Sequence, residues 1–334
     1  MHKRILITRT DRVGDVVMIT PMIREIRKAF PDSFIATLTN PNSAEILLNN
    51  PNLDLLITDD LKKETFWKTV KEIKENKFTH GLLVLPTERA AYQMFLAGIK
   101  NRIGVGKKIY EVITFMKSVS RNKYNPLRHE ADYCMDLARE IGVSSNDLTP
   151  EIFLSEEERI FGKDLLGKLT VNDKEFKIIV HTGSGKSSGN WSEDKYFSLI
   201  KEIIKKHPET NIILTAKEMS DGFKEKVKEL NDDRIIMADN SISRLRDLVC
   251  MIANTDLLIA ASTGPLHIAA ALKVKTIGLY CHRKMNCAKL WGALGDKAIN
   301  LEVSKEYCDS NCSEDKEVCA FENGISIHEV LKHV

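Results

Sequence analysis

Two small hydroxyls, a glycine and a proline stand together in Ser262-Thr263-Gly264-Pro265-Leu266-His267. Gly264 permits a tight turn, and Pro265 suits the first position of a helix, where its missing N–H costs nothing. The amides of Leu266 and His267 would then be unpaired donors at a helix start, beside the hydroxyls of Ser262 and Thr263. Such a start is an anion site of the kind that holds a diphosphate. An ordinary capped turn between a strand and a helix would read the same way. A second candidate follows the first apolar run, in Thr8-Arg9-Thr10-Asp11-Arg12-Val13-Gly14-Asp15-Val16-Val17. Asp15 opens a helix there. It can be a plain N-terminal carboxylate, stabilising the helix by roughly 1 kcal/mol, or a general base for a substrate hydroxyl. Asp11 competes for that role. Only one glycine of a G-x-G-x-x-G pattern is present, which excludes the dinucleotide fingerprint.

The stretch Val180-His181-Thr182-Gly183-Ser184-Gly185-Lys186-Ser187 also invites a phosphate reading. A P-loop needs a glycine five positions before Gly185, and Val180 stands there, so the Walker pattern fails. The loop still offers Thr182, Ser184 and Lys186 to an anion, against the alternative of a solvated turn. Glu193 and Asp194 already complement the dipole of the helix that follows, so a diphosphate would lean on the Pro265 helix with the loop approaching from the side. No Asp-x-Asp occurs anywhere in the chain. A leaving diphosphate would therefore be stabilised by lysine, hydroxyls and a helix start rather than by a bridging cation.

These residues must be positioned by strands and helices that the hydrophobic pattern outlines. Strands are predicted at Arg4–Thr8, Phe34–Leu38, Leu53–Thr58, His80–Leu85, Lys177–His181, Asn211–Thr215, Arg234–Met237, Asp256–Ala260 and Thr276–Leu279. Helices are predicted between them, including Asp15–Ala29, Asp194–Lys206, Ser243–Ala253 and Pro265–Leu272. Such alternation, with strands rich in Ile, Val and Leu, implies α/β architecture with parallel sheets covered on both faces. With 334 residues, two domains of roughly 150 residues each are expected. The halves join near Leu154–Asp173, as two Rossmann-like domains facing across a cleft that holds the site.

A basic segment, Lys100 to Arg128, carries Lys100, Arg102, Lys107, Lys108, Lys117, Arg121, Lys123 and Arg128 against the single acid Glu111. Within it Ile109, Val112, Ile113 and Met116 fall at helical spacing. The segment is either an amphipathic core helix with a solvated basic face or a surface for an anionic, membrane-held acceptor. A net charge of +2 gives no reason to expect a nucleic-acid partner. No apolar run reaches the ~18–20 residues of a membrane span. The odd cysteine count and the absence of a signal-like h-region point to the cytoplasm. Cys308, Cys312 and Cys319 form one C-x3-C-x6-C cluster. A metal there would need a fourth ligand, and inert surface thiols are the alternative.

Taken together, these segments resemble glycosyltransferase family nine, the ADP-heptose heptosyltransferases of lipopolysaccharide core assembly. The match runs through Arg12-Val13-Gly14-Asp15-Val16-Val17 with Thr20-Pro21, Arg102-Ile103-Gly104, His129, His181-Thr182-Gly183 leading to Trp191, and Ser262-Thr263-Gly264-Pro265-Leu266-His267. The resemblance implies a GT-B fold: residues 1–160 as the acceptor domain, 161–320 as the nucleotide-sugar domain, and 321–334 as a helix crossing back to the first. It makes Asp15 the base of an inverting, metal-independent transfer with no cofactor. It places Thr182, Ser184, Lys186, Glu218, Ser262, Thr263, Gly264 and His267 at the donor, with Glu218 near ribose or adenine. Where family members often carry a lysine one or two residues before the tryptophan, this chain has Gly189-Asn190, so that either Lys186 substitutes or the role is vacant. Arg12, Gly14, Arg102, Lys107, Arg121 and Arg128 are the candidates to meet an anionic glycolipid acceptor, which sets the enzyme in the cytoplasm at the inner face of the membrane. The competing functions are a transferase with another donor or a protein acceptor, and a nucleotide-sugar binding protein without activity.

Overall fold

A computed structural model of the chain describes residues 2–106, 108–169, 175–184, 188–238, 242–311 and 322–334. The chain forms two compact units, residues 1–153 and 154–334. In the first, strands β1 (Arg4–Arg9), β2 (Phe34–Thr39), β3 (Leu55–Thr58), β4 (His80–Leu83), β5 (Asn101–Val105) and β6 (Lys117–Val119) alternate with helices α1 (Val13–Val17), α2 (Thr20–Ala29), α3 (Pro41–Ala44), α4 (Phe66–Glu75), α5 (Glu88–Leu96), α6 (Ile109–Ile113) and α7 (Glu130–Arg139). In the second, β7 (Phe176–His181), β8 (Thr210–Thr215), β9 (Ile235–Met237), β10 (Leu257–Ala261), β11 (Lys275–Tyr280) and β12 (Ala298–Glu302) accompany α8 (Glu156–Lys168), α9 (Glu193–Lys206), α10 (Asp221–Glu229), α11 (Leu245–Ile252), α12 (Gly264–Ala271), α13 (Ala288–Trp291), α14 (Lys305–Asn311) and α15 (Ile327–Leu331).

Each unit holds one six-stranded parallel sheet, ordered β3-β2-β1-β4-β5-β6 and β9-β8-β7-β10-β11-β12. Counted from its own first strand, each sheet has the same order. It reverses between β1 and β4 in one and between β7 and β10 in the other. Side chains on the central strands are covered from both faces, which is why Ile5-Leu6-Ile7 and Leu257-Leu258-Ile259 are fully buried runs without polar alternation. At the reversal, the connections after the two central strands leave in opposite directions and open a crevice at the carboxyl ends. That crevice is where ligands of such sheets bind.

Two differences from the sequence expectations have physical causes. The helix expected over Asp15–Ala29 is two helices: Pro21 cannot donate to the Val17 carbonyl, which instead accepts from the Thr20 hydroxyl at 2.8 Å. The boundary lies at residue 153 rather than 160, because α8 belongs to the second unit. Glu158 on α8 takes both Nε and Nη2 of Arg246, each at 2.7 Å, and Gly162 lies against the Cys250 carbonyl. Ile325 and Val330 are buried in the second unit's own core, with Ile327 and Leu331 packed on it.

Candidate active site

At the first reversal point the last residue of β1 is an arginine, and it is buried. Arg9 spends its guanidinium on three carboxylates: Nε donates to Asp11 at 2.8 Å, Nη1 to Glu130 at 3.0 Å, and Nη2 to Asp15 in a short contact. Glu130, on α7, also accepts from Arg121 Nη1 at 2.9 Å. Glu130 is 2% exposed, whereas Asp15 keeps 16% of its side chain and Asp11 21% open to solvent. Two cations thus face three anions, so one carboxylate is under-compensated. Burial, reinforced by the charge of Asp15 and opposed by Arg9, pushes the Asp11 carboxyl up to about 6. Burial also opposes the Arg9 charge, but the surrounding anions outweigh it and raise its pKa. Asp15 lies in the first turn of α1, where a carboxylate suits the helix dipole. A carboxylate held by a buried guanidinium and partly open to solvent can accept a proton from a hydroxyl brought within hydrogen-bond reach.

At the second reversal point β10 runs into α12 through Ser262 and Thr263. Thr263 is the N-cap, with extended backbone and no side-chain capping bond. Its Oγ1 is buried and has no hydrogen-bond partner among the described residues. Gly264 begins the helix and Pro265 takes its second position. Apolar on all sides, α12 buries every residue from Leu266 to Ala271, so its first-turn amides hold fixed positions. No acidic residue occupies that turn. The loop after β7 is tied beside it: Ser188 Oγ donates to the Ser262 carbonyl at 2.9 Å, and Asn190 Nδ2 donates to the Thr182 carbonyl at 2.7 Å. Tyr196 donates to Asn190 Oδ1 at 2.8 Å and stacks edge-on against the buried Trp191. His181 lowers its pKa to about 4 through burial and pairs with the Thr215 hydroxyl at 2.9 Å, so it is neutral. Hydroxyls and backbone amides gathered at a helix start, without a nearby carboxylate in that turn, favour a diphosphate.

The family model for glycosyltransferase family 9 (heptosyltransferase) matches residues 66–320. The chain belongs to glycosyltransferase family 9. It is 29% identical over 309 residues to an inferred glycosyltransferase of Haemophilus influenzae, covering 88% of this chain and 87% of that one. It is 24% identical over 291 residues to lipopolysaccharide heptosyltransferase 1 of Campylobacter coli, covering 83% of each. The structure of the E. coli ADP-heptose LPS heptosyltransferase II superposes with a TM-score of 0.79 at 17% identity, covering 99% of this chain and 97% of that one. Two Rossmann-like domains, of the GT-B class, are therefore the fold of this glycosyltransferase.

Within that fold the other sequence candidates scatter. Arg12 is exposed at the start of α1, beside Gly14. Arg121 donates to Glu130 and to the Tyr124 hydroxyl, while its Nε and Nη2 are buried with no hydrogen-bond partner among the described residues. Arg102 is buried on β5, where it donates to the Ile99 and Thr114 carbonyls and holds the chain around α6. Gly104 is explained by the same packing, since a Cβ there would meet the Glu111 carboxylate at 3.0 Å. Arg128 is clamped by Asp132 and Asp136 over the Tyr133 ring, and these hydrogen bonds raise its pKa. His129 caps α7, its Nδ1 accepting from Ala131 N at 3.2 Å. Glu218 is exposed beyond the carboxyl end of β8, Thr182 is buried after β7, and His267 is buried in the first turn of α12. Lys107, Lys186, Cys312 and Cys319 lie outside the described residues. Cys308 is buried in the second unit's core, and no group of three or more His, Cys, Asp or Glu among the described residues could hold a metal. Sequence reasoning missed Arg9 and Glu130. An arginine ending a buried strand was the available signal, since burial demands a partner.

Proposed function

We propose that this glycosyltransferase moves heptose from ADP-heptose to a lipopolysaccharide-core acceptor with inversion at the anomeric carbon. The fixed, half-open carboxylate of Asp15 on Arg9 is the observation that carries the reading. Asp15 removes the acceptor hydroxyl proton, and the oxygen forms its bond to the anomeric carbon as the bond from that carbon to the diphosphate oxygen breaks. The electron pair leaves with ADP, whose new charge meets the amides of α12 and the hydroxyls of Ser262 and Thr263. Gly264 lets the phosphates approach the backbone. Thr182 and Ser184 flank the phosphates, His267 lies behind them, and Glu218 serves ribose or adenine; Lys186, outside the described residues, is the candidate lysine for the same diphosphate. Arg121, whose Nε and Nη2 have no hydrogen-bond partner among the described residues, is the strongest candidate for an acidic group on the acceptor, and Arg12 and Gly14 are further candidates. The missing Asp-x-Asp supports a transfer that needs no cation. The names of the sequence and structural relatives support the donor sugar and the acceptor class.

The test is a nucleotide-release assay with a panel of nucleotide sugars and a lipopolysaccharide-core acceptor, with and without chelator. ADP released only from ADP-heptose, unaffected by chelator and giving an inverted linkage, is expected. Donor binding without release for any acceptor would instead support a silent binding protein.

A further inference from the structure

Of the apolar residues at helical spacing in the basic segment, Met116 packs against the core, while Ile109, Val112 and Ile113 do not enter it. On α6, Ile109, Val112 and Ile113 are 80%, 71% and 53% exposed, and Phe115 just beyond it is 80% exposed. The polar side of this short helix is the one that faces inward. Glu111 is fully buried and accepts from the Ser118 hydroxyl, and Thr114 is buried with its hydroxyl donating to the Tyr110 carbonyl at 2.7 Å. The helix is therefore amphipathic in the inverted sense, with its apolar stripe in water. Phe115 makes this more pointed. Phe115 N donates to Val112 O at 3.1 Å and Met116 N to Glu111 O at 2.8 Å, the paired bonds of a Schellman helix end. Phe115 stands at the left-handed position of that motif, φ +53°, which glycine or asparagine adopts without strain and a bulky aromatic does not. Neither packing nor backbone preference accounts for an aromatic ring there.

The segment that carries this stripe is basic, with Lys117 ion-paired to Glu140. Lys100, Lys108 and Lys117 are exposed, while the segment's single acid, Glu111, is turned into the protein. Neighbouring α5 exposes Phe95 and Leu96 as well. We infer that α6 and the turn at Phe115 form a docking surface for an anionic lipid bilayer, the aliphatic and aromatic tips entering the interface and the lysines meeting lipid phosphates. An anionic bilayer complements both the exposed lysines and the apolar tips. The inference deepens the proposed function, because a lipid-linked acceptor is presented at such a surface, but it is read without any sugar transfer.

The experiment is co-sedimentation of the full-length protein with phosphatidylethanolamine vesicles, with and without phosphatidylglycerol. Wild type is expected to sediment with the anionic vesicles and to be released by salt. Phe115→Asn combined with Val112→Ser should lower the partition coefficient at least tenfold, from the apolar area withdrawn. Its thermal midpoint should be unchanged or raised, since asparagine suits the left-handed position. Equal sedimentation with and without phosphatidylglycerol, or a double variant that binds as wild type does, overturns the inference. So does a lipid-free dimer that the double variant dissolves, which would make the stripe a contact between copies. Vesicle binding without sugar transfer would leave the docking surface standing and sink the catalytic reading alone.

Discussion

Asp11→Asn should stabilise the first unit at neutral pH and leave it unchanged in acid. Asp11 accepts from Arg9 Nε at 2.8 Å, yet the same guanidinium also serves Asp15 and Glu130. Burial, with the Asp15 charge adding to it, therefore lifts the Asp11 carboxyl from 3.8 to about 6. A displacement of that size corresponds to about 3 kcal/mol between the two protonation states. The sign follows from proton binding. Between about pH 4 and pH 6 the folded protein holds a proton that the unfolded chain has released, so stability falls as pH rises through that window. Below it both states are protonated and nothing is lost. Asparagine keeps an oxygen toward Arg9 and never ionises. At about pH 7.5 the variant should be more stable by up to ~3 kcal/mol, or about 6–12 °C in midpoint for a unit of this size. At about pH 4 the gap should close. Differential scanning calorimetry across that range is the assay, and a gap that is absent at neutral pH or independent of pH refutes the reasoning. Because Asp15 is assigned as the base, the variant should also keep its transfer rate within roughly tenfold; a collapse would move the base to Asp11.

Asp15→Asn should lower kcat by about 10²–10⁴-fold while the donor dissociation constant, measured by calorimetry, stays near wild type. Glu130→Gln leaves Arg9 and Arg121 with two carboxylates; it should cost about 2–4 kcal/mol in denaturant unfolding, and an unchanged midpoint would make the buried bridge unimportant. Thr263→Val removes a buried hydroxyl without a partner among the described residues; donor affinity should fall about tenfold with thermal stability held or raised, and intact affinity would remove Thr263 from the diphosphate site. Gly162→Ala would place a Cβ 2.1 Å from the Cys250 carbonyl, and should destabilise the second unit by about 1–3 kcal/mol in the same unfolding experiment.

The strand–helix alternation, nine of the twelve described strands and the two strand-to-helix turns were legible in the chain, as was the candidate base. Each rests on local physics: apolar runs of strand length, a proline and a glycine at a helix start, a carboxylate in a first turn. Strands β5, β6 and β12 were not legible, because Arg102 and Gly104, Lys117 and Ser118, and Asn300 interrupt their apolar runs, and β5 buries an arginine whose carbonyl partners come from residues 99 and 114. The spacing of Ile109, Val112 and Ile113 showed that they share one face of a helix. It could not show which way that face turns, since the orientation depends on how Glu111 and Thr114 are satisfied beneath it. The bond from Arg9 to Glu130 spans 121 residues of chain, beyond any local pattern. Periodicity follows from the backbone's own geometry, whereas the pairing of a buried charge waits until the sheet brings distant segments together.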